Sequence, residues 1–176
     1  MTISITPATH ADAAELAQVA AVTFPLACPP SSPPGDIAAF IDAQLSPARF
    51  SGYLADPSRV VLAARDEGTI LGYAMLVRGI GDDPDVAAAV PGRPAMELSK
   101  MYVLAAQHGA GVAGSLMNRA IECAADAGAR CLWLGVNQEN QRAQRFYGKH
   151  GFTVAGTKTF TLGTQTEHDF VMVRQL

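Results

Sequence analysis

The sequence predicts a mixed α/β domain in three layers, and three observations support this fold class. Apolar strand-like segments and helical segments follow each other in the order β-α-α-β-β-β-α-β-α-β-β. The segment "CLWLGV" (131–136) is continuously apolar, which is typical of a strand buried on both faces. A glycine-rich turn at 109–114 leads from a strand into a helix, so that a β-α-β unit forms the centre. The length of 176 residues suits one domain over 1–176.

The first third of the chain predicts one strand and two helices. "ISITPAT" alternates apolar and polar residues and indicates a strand. An apolar helix over 10–24 follows, capped by Thr9, and the proline-rich "PLACPPSSPPG" ends it. A second short helix fits 36–45, and "FSGYLADPS" (50–58) indicates a loop or a broken turn.

Three strands are predicted in the middle of the chain. "RVVLAARD" and "ILGYAMLVRG" flank the tight reversal "EGT", which contains Gly68, and together they indicate a hairpin. The segment 80–94 is a longer excursion without an obvious regular structure. "AMELSKMYVL" (95–104) indicates the third strand, and the glycine-rich turn follows it.

The last third predicts two helices and three strands. One helix begins near Gly111 and runs to about Ala127, where Gly128 ends it. After the apolar strand 131–136, "NQRAQRFYGKH" indicates a helix that stops before Gly151. "FTVAGTKTFTL" and "DFVMVRQL" are the last two strands, joined by a polar loop.

The composition excludes several classes of function. The net charge is -3 and no Lys/Arg-rich run occurs, so nucleic acid is not expected as a partner. The N-terminus lacks a signal-peptide pattern, and no apolar run approaches the roughly 20 residues that span a bilayer. We therefore expect a cytoplasmic protein with no membrane partner. Cys28, Cys123 and Cys131 lack C-x-x-C spacing and are expected to be reduced, buried, small hydrophobes.

Gly109, Gly111 and Gly114 form a G-x-G-x-x-G, the fingerprint of a dinucleotide-binding turn. Three features argue against a nicotinamide cofactor. "AAQH" separates the strand from the first glycine, only 62 residues (115–176) follow the last one, and the next strand leads to Asn137 instead of an acidic residue. The turn still suits a phosphate, because glycines admit an anion close to the backbone and a helix start presents N–H groups to it. A tight turn without a ligand is the alternative.

Two motifs make the chain resemble the Gcn5-related N-acetyltransferases (GNAT). The first family motif, Q/R-x-x-G-x-G/A, is matched by 108–113, although His108 replaces the usual Gln or Arg. The second, N-x-x-A-x-x-F-Y-x-x-x-G-F, is matched by Asn140, Ala143, Phe146, Tyr147, Gly151 and Phe152. The motifs stand at the family's mutual spacing, and the resemblance covers 95–152 most clearly. The tail 159–176 is similar to bacterial members that include polyamine acetyltransferases.

The resemblance implies the GNAT fold, a mostly antiparallel mixed sheet of about seven strands with helices on both faces, in which strands 4 and 5 splay apart. It also implies acetyl-CoA as co-substrate, with the pyrophosphate on the glycine turn and the pantetheine arm along 101–104. Backbone N–H groups near Val103 would form an oxyanion hole. The residues implied to bind coenzyme A are Met101, Val103, His108, Gly109, Ala110, Gly111, Val112, Ala113, Gly114, Asn140 and Tyr147.

The reaction implied by the resemblance is acetyl transfer from a thioester to an amine, with Tyr147 as the general acid for the leaving thiolate. The alternative is that Tyr147 only packs its ring on an apolar helix face. Asn140 either binds coenzyme A or caps its helix. Glu97 is the candidate general base, with an exposed surface acid as the alternative. Simple strand alternation places Glu97 and Met101 on one face and Lys100 on the other.

The acceptor is expected to be a primary amine of a small molecule, with polyamines as one option, or of a peptide. It should meet residues from 24–58 and from 80–94. In the second segment, Asp82, Asp83 and Asp85 would either attract a cationic amine or form an acidic surface loop. No metal is expected, because the histidines show no ligand spacing. The family contains many homodimers, and the oligomeric state is left open. A non-catalytic acyl-CoA sensor on the same fold and a nicotinamide dehydrogenase are the alternative functions.

Overall fold

The computed structural model describes residues 2–176 and contains a seven-stranded sheet with helices on both faces. The strands are β1 (Ile3–Pro7), β2 (Arg59–Asp66), β3 (Thr69–Arg78), β4 (Ala95–Val103), β5 (Cys131–Asn137), β6 (Thr153–Leu162) and β7 (Gln165–Gln175). The helices are α1 (Ala13–Ala27), α2 (Pro34–Gln44), α3 (Pro47–Ala55), α4 (Pro84–Ala89), α5 (Val112–Asp126) and α6 (Gln141–Lys149). In the described part of the chain, no helix has the length and apolar character needed to cross a membrane.

The sheet has the order β1-β2-β3-β4-β5-β7-β6. All neighbouring strands are antiparallel except β4 and β5, which are parallel. This parallel pair is short, because only Ala95–Glu97 of β4 pair with Cys131–Trp133 of β5. Beyond these residues the two strands diverge and leave a gap in the middle of the sheet. The predicted fold class and the predicted splay of strands 4 and 5 are confirmed.

A β-bulge interrupts β4 just where the gap opens. Lys100 pairs with Met75 of β3, whereas Leu98 pairs with the next residue of β3, Leu76, so that Ser99 has no partner in the ladder. A bulge adds one residue to one strand and bends it. It therefore helps to turn the second half of β4 away from β5.

The bulge also makes the predicted alternation of β4 wrong. Met101 and Val103 pack into the core that lies under α5. Tyr102 packs into the core under α1 and α3, and the Lys100 ammonium lies over the ring of Tyr53 in α3. Because the extra residue reverses the alternation, Glu97 shares its face with Lys100 and not with Met101.

Two helices occur where the sequence indicated irregular structure. The loop predicted at 50–58 belongs largely to α3, whose N-cap Ser46 accepts a hydrogen bond from the Arg49 N–H at 3.2 Å. The excursion 80–94 contains α4, capped by Asp83. Each helix has proline at its first position, which is a usual helix-start signal. In addition, α1 continues past Pro25 to Ala27, and β7 begins at Gln165, four residues before the predicted start.

Candidate functional site

The gap between β4 and β5 opens into a cavity of about 840 Å³, within the range of roughly 300–1,000 Å³ that is typical of ligand pockets. The glycine turn and α6 form one wall, and the end of α1 forms another. The predicted coenzyme A residues that line this cavity are Met101, Val103, His108, Gly109, Gly111, Ala113, Gly114, Asn140 and Tyr147. Two others do not line it: Ala110 is exposed in the turn, and the Val112 side chain is buried in the core under α5.

The glycine turn directs the start of α5 towards the cavity. Gly109 and Gly111 have φ angles of 84° and 85°, a left-handed conformation that glycine adopts without strain. Gly111 is the N-cap of α5, so the N–H groups of the first turn have no acceptor inside the helix. These donors and the positive end of the helix dipole provide a site for an anion at this wall.

His108 connects the turn to the end of β4. Its Nε2 atom lies 3.0 Å from the carbonyl oxygen of Val103. Since a carbonyl oxygen can only accept, Nε2 carries the proton and donates it. The imidazole therefore holds the turn in position against the end of β4.

The Val103 N–H faces the gap. The next residue, Leu104, donates its N–H to the Leu71 carbonyl on the β3 side at 2.9 Å. Successive N–H groups of a strand point to opposite edges, so the Val103 N–H points away from β3. Gly72 of β3 allows a close approach at this level, because a Cβ atom there would lie 2.8 Å from the Tyr102 carbonyl oxygen.

The Tyr147 ring packs against neighbouring aromatic side chains, and the residue lines the cavity. The ring centroid lies 5.7 Å from that of Phe146 and 6.0 Å from that of Phe152. Burial raises the pKa of Tyr147 to about 12, so the hydroxyl keeps its proton at neutral pH. Asn140 directly precedes α6 and caps it, since its Oδ1 accepts the Ala143 N–H at 3.1 Å. Its Nδ2 is not used by the cap.

Away from the glycine turn, the cavity is lined by a group of charged side chains. We call it the charged pocket and define it by Glu97, Lys100, Tyr102, Lys158 and Asp169, all of which line the cavity. Burial raises the pKa of Glu97 and of Asp169, although the Lys158 charge opposes both shifts. Burial lowers the pKa of Lys100, and the Glu97 carboxylate opposes that shift.

Sequence reasoning did not identify most of these groups. It also missed the basic face of α6, where Arg142, Arg145 and Lys149 line the cavity beside the glycine turn. Their spacing of three and four residues could have indicated a common helix face. Within the described residues, none from 80–94 lines the cavity, so the structure does not support the predicted acceptor contact with Asp82, Asp83 and Asp85.

The cysteines differ from one another in burial. Cys131 is fully buried, as expected, whereas Cys28 and Cys123 are half-buried. Cys28 lines the cavity at the end of α1, and burial raises the pKa of its thiol to about 11. The thiol therefore stays protonated at neutral pH.

Comparison with known proteins agrees with this geometry. A model of the acetyltransferase (GNAT) family matches residues 24–152. Uncharacterised N-acetyltransferases of Mycobacterium tuberculosis and Mycobacterium bovis are 58% identical to this chain over 165 residues, covering 94% of it and 98% of each relative.

Solved structures share the fold. The PaiA N-acetyltransferase of Thermoplasma acidophilum, in complex with coenzyme A, is 19% identical and has a TM-score of 0.79 over 100% of both chains. Arabidopsis thaliana NAA60, in complex with a bisubstrate analogue, is 16% identical and has a TM-score of 0.74 over 99% of both chains. The protein is an N-acetyltransferase, and its chain belongs to the GNAT family.

Proposed function

We propose that the protein transfers the acetyl group of acetyl-CoA to a primary amine of a small molecule or a peptide. The main support is one arrangement: a gap between two parallel strands that has a helix N-terminus at one wall and Tyr147 in its lining. The complex of the Thermoplasma relative with coenzyme A is consistent with this donor.

The walls of the gap suit coenzyme A. The N–H groups of the first turn of α5 would bind its pyrophosphate, and Arg142, Arg145 and Lys149 would add positive charge at the same end. The pantetheine arm would lie along β4 like an added strand, against the backbone of Met101 and Val103. Because the Asn140 cap uses only Oδ1, its Nδ2 would be available to the same arm.

The residues of the gap account for each step of the transfer. The amine nitrogen forms a bond to the carbonyl carbon while the carbon–sulfur bond breaks. The Val103 N–H would stabilise negative charge on the carbonyl oxygen. Tyr147 would donate its proton to the departing thiolate. An ammonium acceptor gives up two protons in all, so the overall reaction yields the amide, the free thiol and one proton.

Glu97 would receive the first of these protons, directly or through a water. A base must be deprotonated before the reaction, and the raised pKa of Glu97 makes it a better proton acceptor than an ordinary carboxylate. The positive charges of Lys158, Lys100 and Arg59 oppose this rise in pKa.

Release of free thiol from acetyl-CoA tests the proposal. The protein would be incubated with acetyl-CoA and a panel of amino acids, polyamines, aminoglycosides and peptides with free N-termini. We expect amine-dependent thiol release and an acetylated amine in the mass spectrum. Tight acetyl-CoA binding with no turnover of any amine would instead indicate an acyl-CoA sensor.

A further inference from the structure

We propose that the preferred acceptor is an amino acid, a small molecule with both a primary amine and a carboxylate, and that Lys100 selects the carboxylate. This inference rests on the acetyltransferase activity proposed above and specifies the acceptor class for the same site. It is based on the arrangement of opposite charges in the charged pocket.

The charged pocket presents both signs of charge on one surface. The bulge at Ser99 brings Glu97 and Lys100 to the same face of β4. Across the gap, Asp169 of β7 pairs in register with Lys158 of β6, and directly paired residues of antiparallel strands share a face. The pocket therefore holds two carboxylates and two ammonium groups, which come from the three strands β4, β6 and β7.

These four charged groups do not pair with one another. The ion pairs of 4.0 Å or shorter within residues 2–176 are Arg59–Asp56, Arg65–Asp12 and Arg119–Glu122. None of these residues lines the cavity. Charges withdrawn from water are costly unless they find a partner. A ligand that carries both signs would supply partners for both, whereas a simple amine would supply a partner for the carboxylates alone.

Lys100 lies at the side of the pocket next to α3, beside the ring of Tyr53. The Lys100 Nζ lies 5.7 Å from the centroid of the Tyr53 ring, and the Arg59 guanidinium lies 4.9 Å from the same centroid. Arg59 is already paired with Asp56 at 3.0 Å and does not line the cavity, so Lys100 is the cation beside Tyr53 that remains for a ligand. This side would bind the acceptor carboxylate.

The opposite side would bind the acceptor amine. Two carboxylates, Glu97 and Asp169, line the cavity here with the single ammonium group of Lys158, and Glu167 adds a third carboxylate to the lining. The carboxylates therefore outnumber Lys158, which suits one ammonium group of the acceptor. The amine would thus lie beside Glu97, its proposed base. A polyamine fits less well, because its second ammonium group would meet Lys100.

The experiment compares amino acids with their carboxamides in the thiol-release assay. An amide keeps the size and the amine of the acid but lacks its negative charge, so it is a matched control for the carboxylate. The panel would include α-, β- and γ-amino acids, because the spacing between the two groups is to be determined. We expect the best acid to exceed its amide by about 10- to 100-fold in kcat/KM, as for a hydrogen bond between charged groups.

Two variants of Lys100 test its role. Lys100→Met keeps most of the apolar stem and removes the charge, and it should bring the acid-to-amide ratio close to one, mainly through a higher KM for the acid. Lys100→Arg keeps the charge and should retain most of the preference. Acetyl-CoA affinity, measured by calorimetry, shows that each variant is folded.

The outcomes separate this inference from the proposed function. Turnover with amides or polyamines preferred over acids would overturn the acceptor class and leave the acetyltransferase function intact. An acid preference that survives Lys100→Met would overturn the role of Lys100. If no amine in the panel releases thiol and acetyl-CoA does not bind, the proposed function itself is wrong and the acceptor class fails with it.

Discussion

Tyr147 shows how one residue can serve both the core and the reaction. Its ring packs between Phe146 and Phe152, while the hydroxyl is the part that can donate a proton. In Tyr147→Phe the packing should survive, and kcat should fall by about 10²- to 10⁴-fold under conditions where chemistry limits the rate. Acetyl-CoA affinity should change far less, because the proton is needed only as charge develops on sulfur.

Tyr102 is the rival acid, since it also lines the cavity. Tyr102→Phe is therefore the matched comparison for Tyr147→Phe, with stopped-flow or steady-state thiol release as the measurement. A large loss in Tyr102→Phe together with near-normal kcat in Tyr147→Phe would transfer the acid role to Tyr102. Equal, small losses would leave both tyrosines as packing residues.

If Glu97 is the base, its titration should produce the acidic limb of the pH–rate profile. Burial raises its pKa, and Lys158, Lys100 and Arg59 act in the opposite direction without cancelling the rise. Because the base is active only when deprotonated, kcat/KM should fall as the pH drops through this raised pKa. The midpoint should lie above the usual range of a carboxylate.

The variant Glu97→Gln should remove this limb and lower kcat/KM by about 10²- to 10⁴-fold. Asp169 has a raised pKa as well, and Asp169→Asn is the control, since it should weaken acceptor binding but keep the limb. Persistence of the limb in Glu97→Gln and its loss in Asp169→Asn would identify Asp169 as the base.

Among the elements, α5 has nearly identical glycines at its two ends. Gly111 (φ 85°) precedes the helix and Gly128 (φ 84°) follows it, and a Cβ atom at either would meet nothing within 4 Å. Replacement by valine should therefore cause similar backbone strain and similar loss of stability at both ends. Only Gly111 lines the cavity.

The prediction for this pair concerns binding. Gly111→Val should weaken acetyl-CoA binding at least 10-fold, because the side chain would keep the backbone N–H groups from the pyrophosphate, while Gly128→Val should leave the affinity nearly unchanged. Isothermal titration with both folded proteins checks this. Matching affinities would mean that the turn does not hold the pyrophosphate.

A polar contact connects α2 to the turn between β6 and β7. Asp36 accepts hydrogen bonds from the N–H and the hydroxyl of Thr164 at 3.2 and 3.0 Å. On the same helix, Phe40 contacts Phe160, which lines the cavity. The short polar contact therefore ties a helix to the strand that supports the acceptor site.

Loss of the Asp36–Thr164 contact should affect binding of the acceptor more than binding of the acetyl donor. We expect Asp36→Ala to lower Tm by about 2–4 °C, as for about 1 kcal/mol, and to raise the acceptor KM without changing acetyl-CoA affinity. Asp42→Ala, on an exposed position of the same helix, is the control for the loss of an acidic residue. An equal effect of both changes on KM would argue for bulk charge instead of the tie.

For the molecule as a whole, local signals predicted the element order and the glycine turn, because periodicity and glycine positions act over a few residues. They could not predict the bulge at Ser99, since one extra residue in a strand has no mark in composition. The charged pocket could not be predicted from the sequence either. Asp169 and Lys158 reach Glu97 only through the β5-β7-β6 order of the sheet, which adjacent sequence does not specify.

Because of the same topology, we expect a bound ligand to increase the stability of the fold. The strands β1–β4 and β5–β7 are joined directly by only three residue pairs, between Ala95–Glu97 and Cys131–Trp133. A ligand in the gap would contact β4 on one side and α6 on the other, and would connect the two parts where the sheet does not. Binding to the native state alone stabilises a protein by about 2.7 kcal/mol at a ligand concentration of 100 Kd.

Thermal unfolding measures this effect. For a chain of this length, about 2.7 kcal/mol corresponds to an increase in Tm of roughly 5–10 °C. We expect coenzyme A and acetyl-CoA to produce such a rise in the wild-type protein and in Gly128→Val, and to produce about half of it or less in Gly111→Val. NADH should leave Tm unchanged, because the next strand leads to Asn137 and not to the acidic residue that a nicotinamide site requires. A rise in Tm with NADH and none with coenzyme A would mean that the gap holds a dinucleotide, and the assignment of the donor would have to be abandoned.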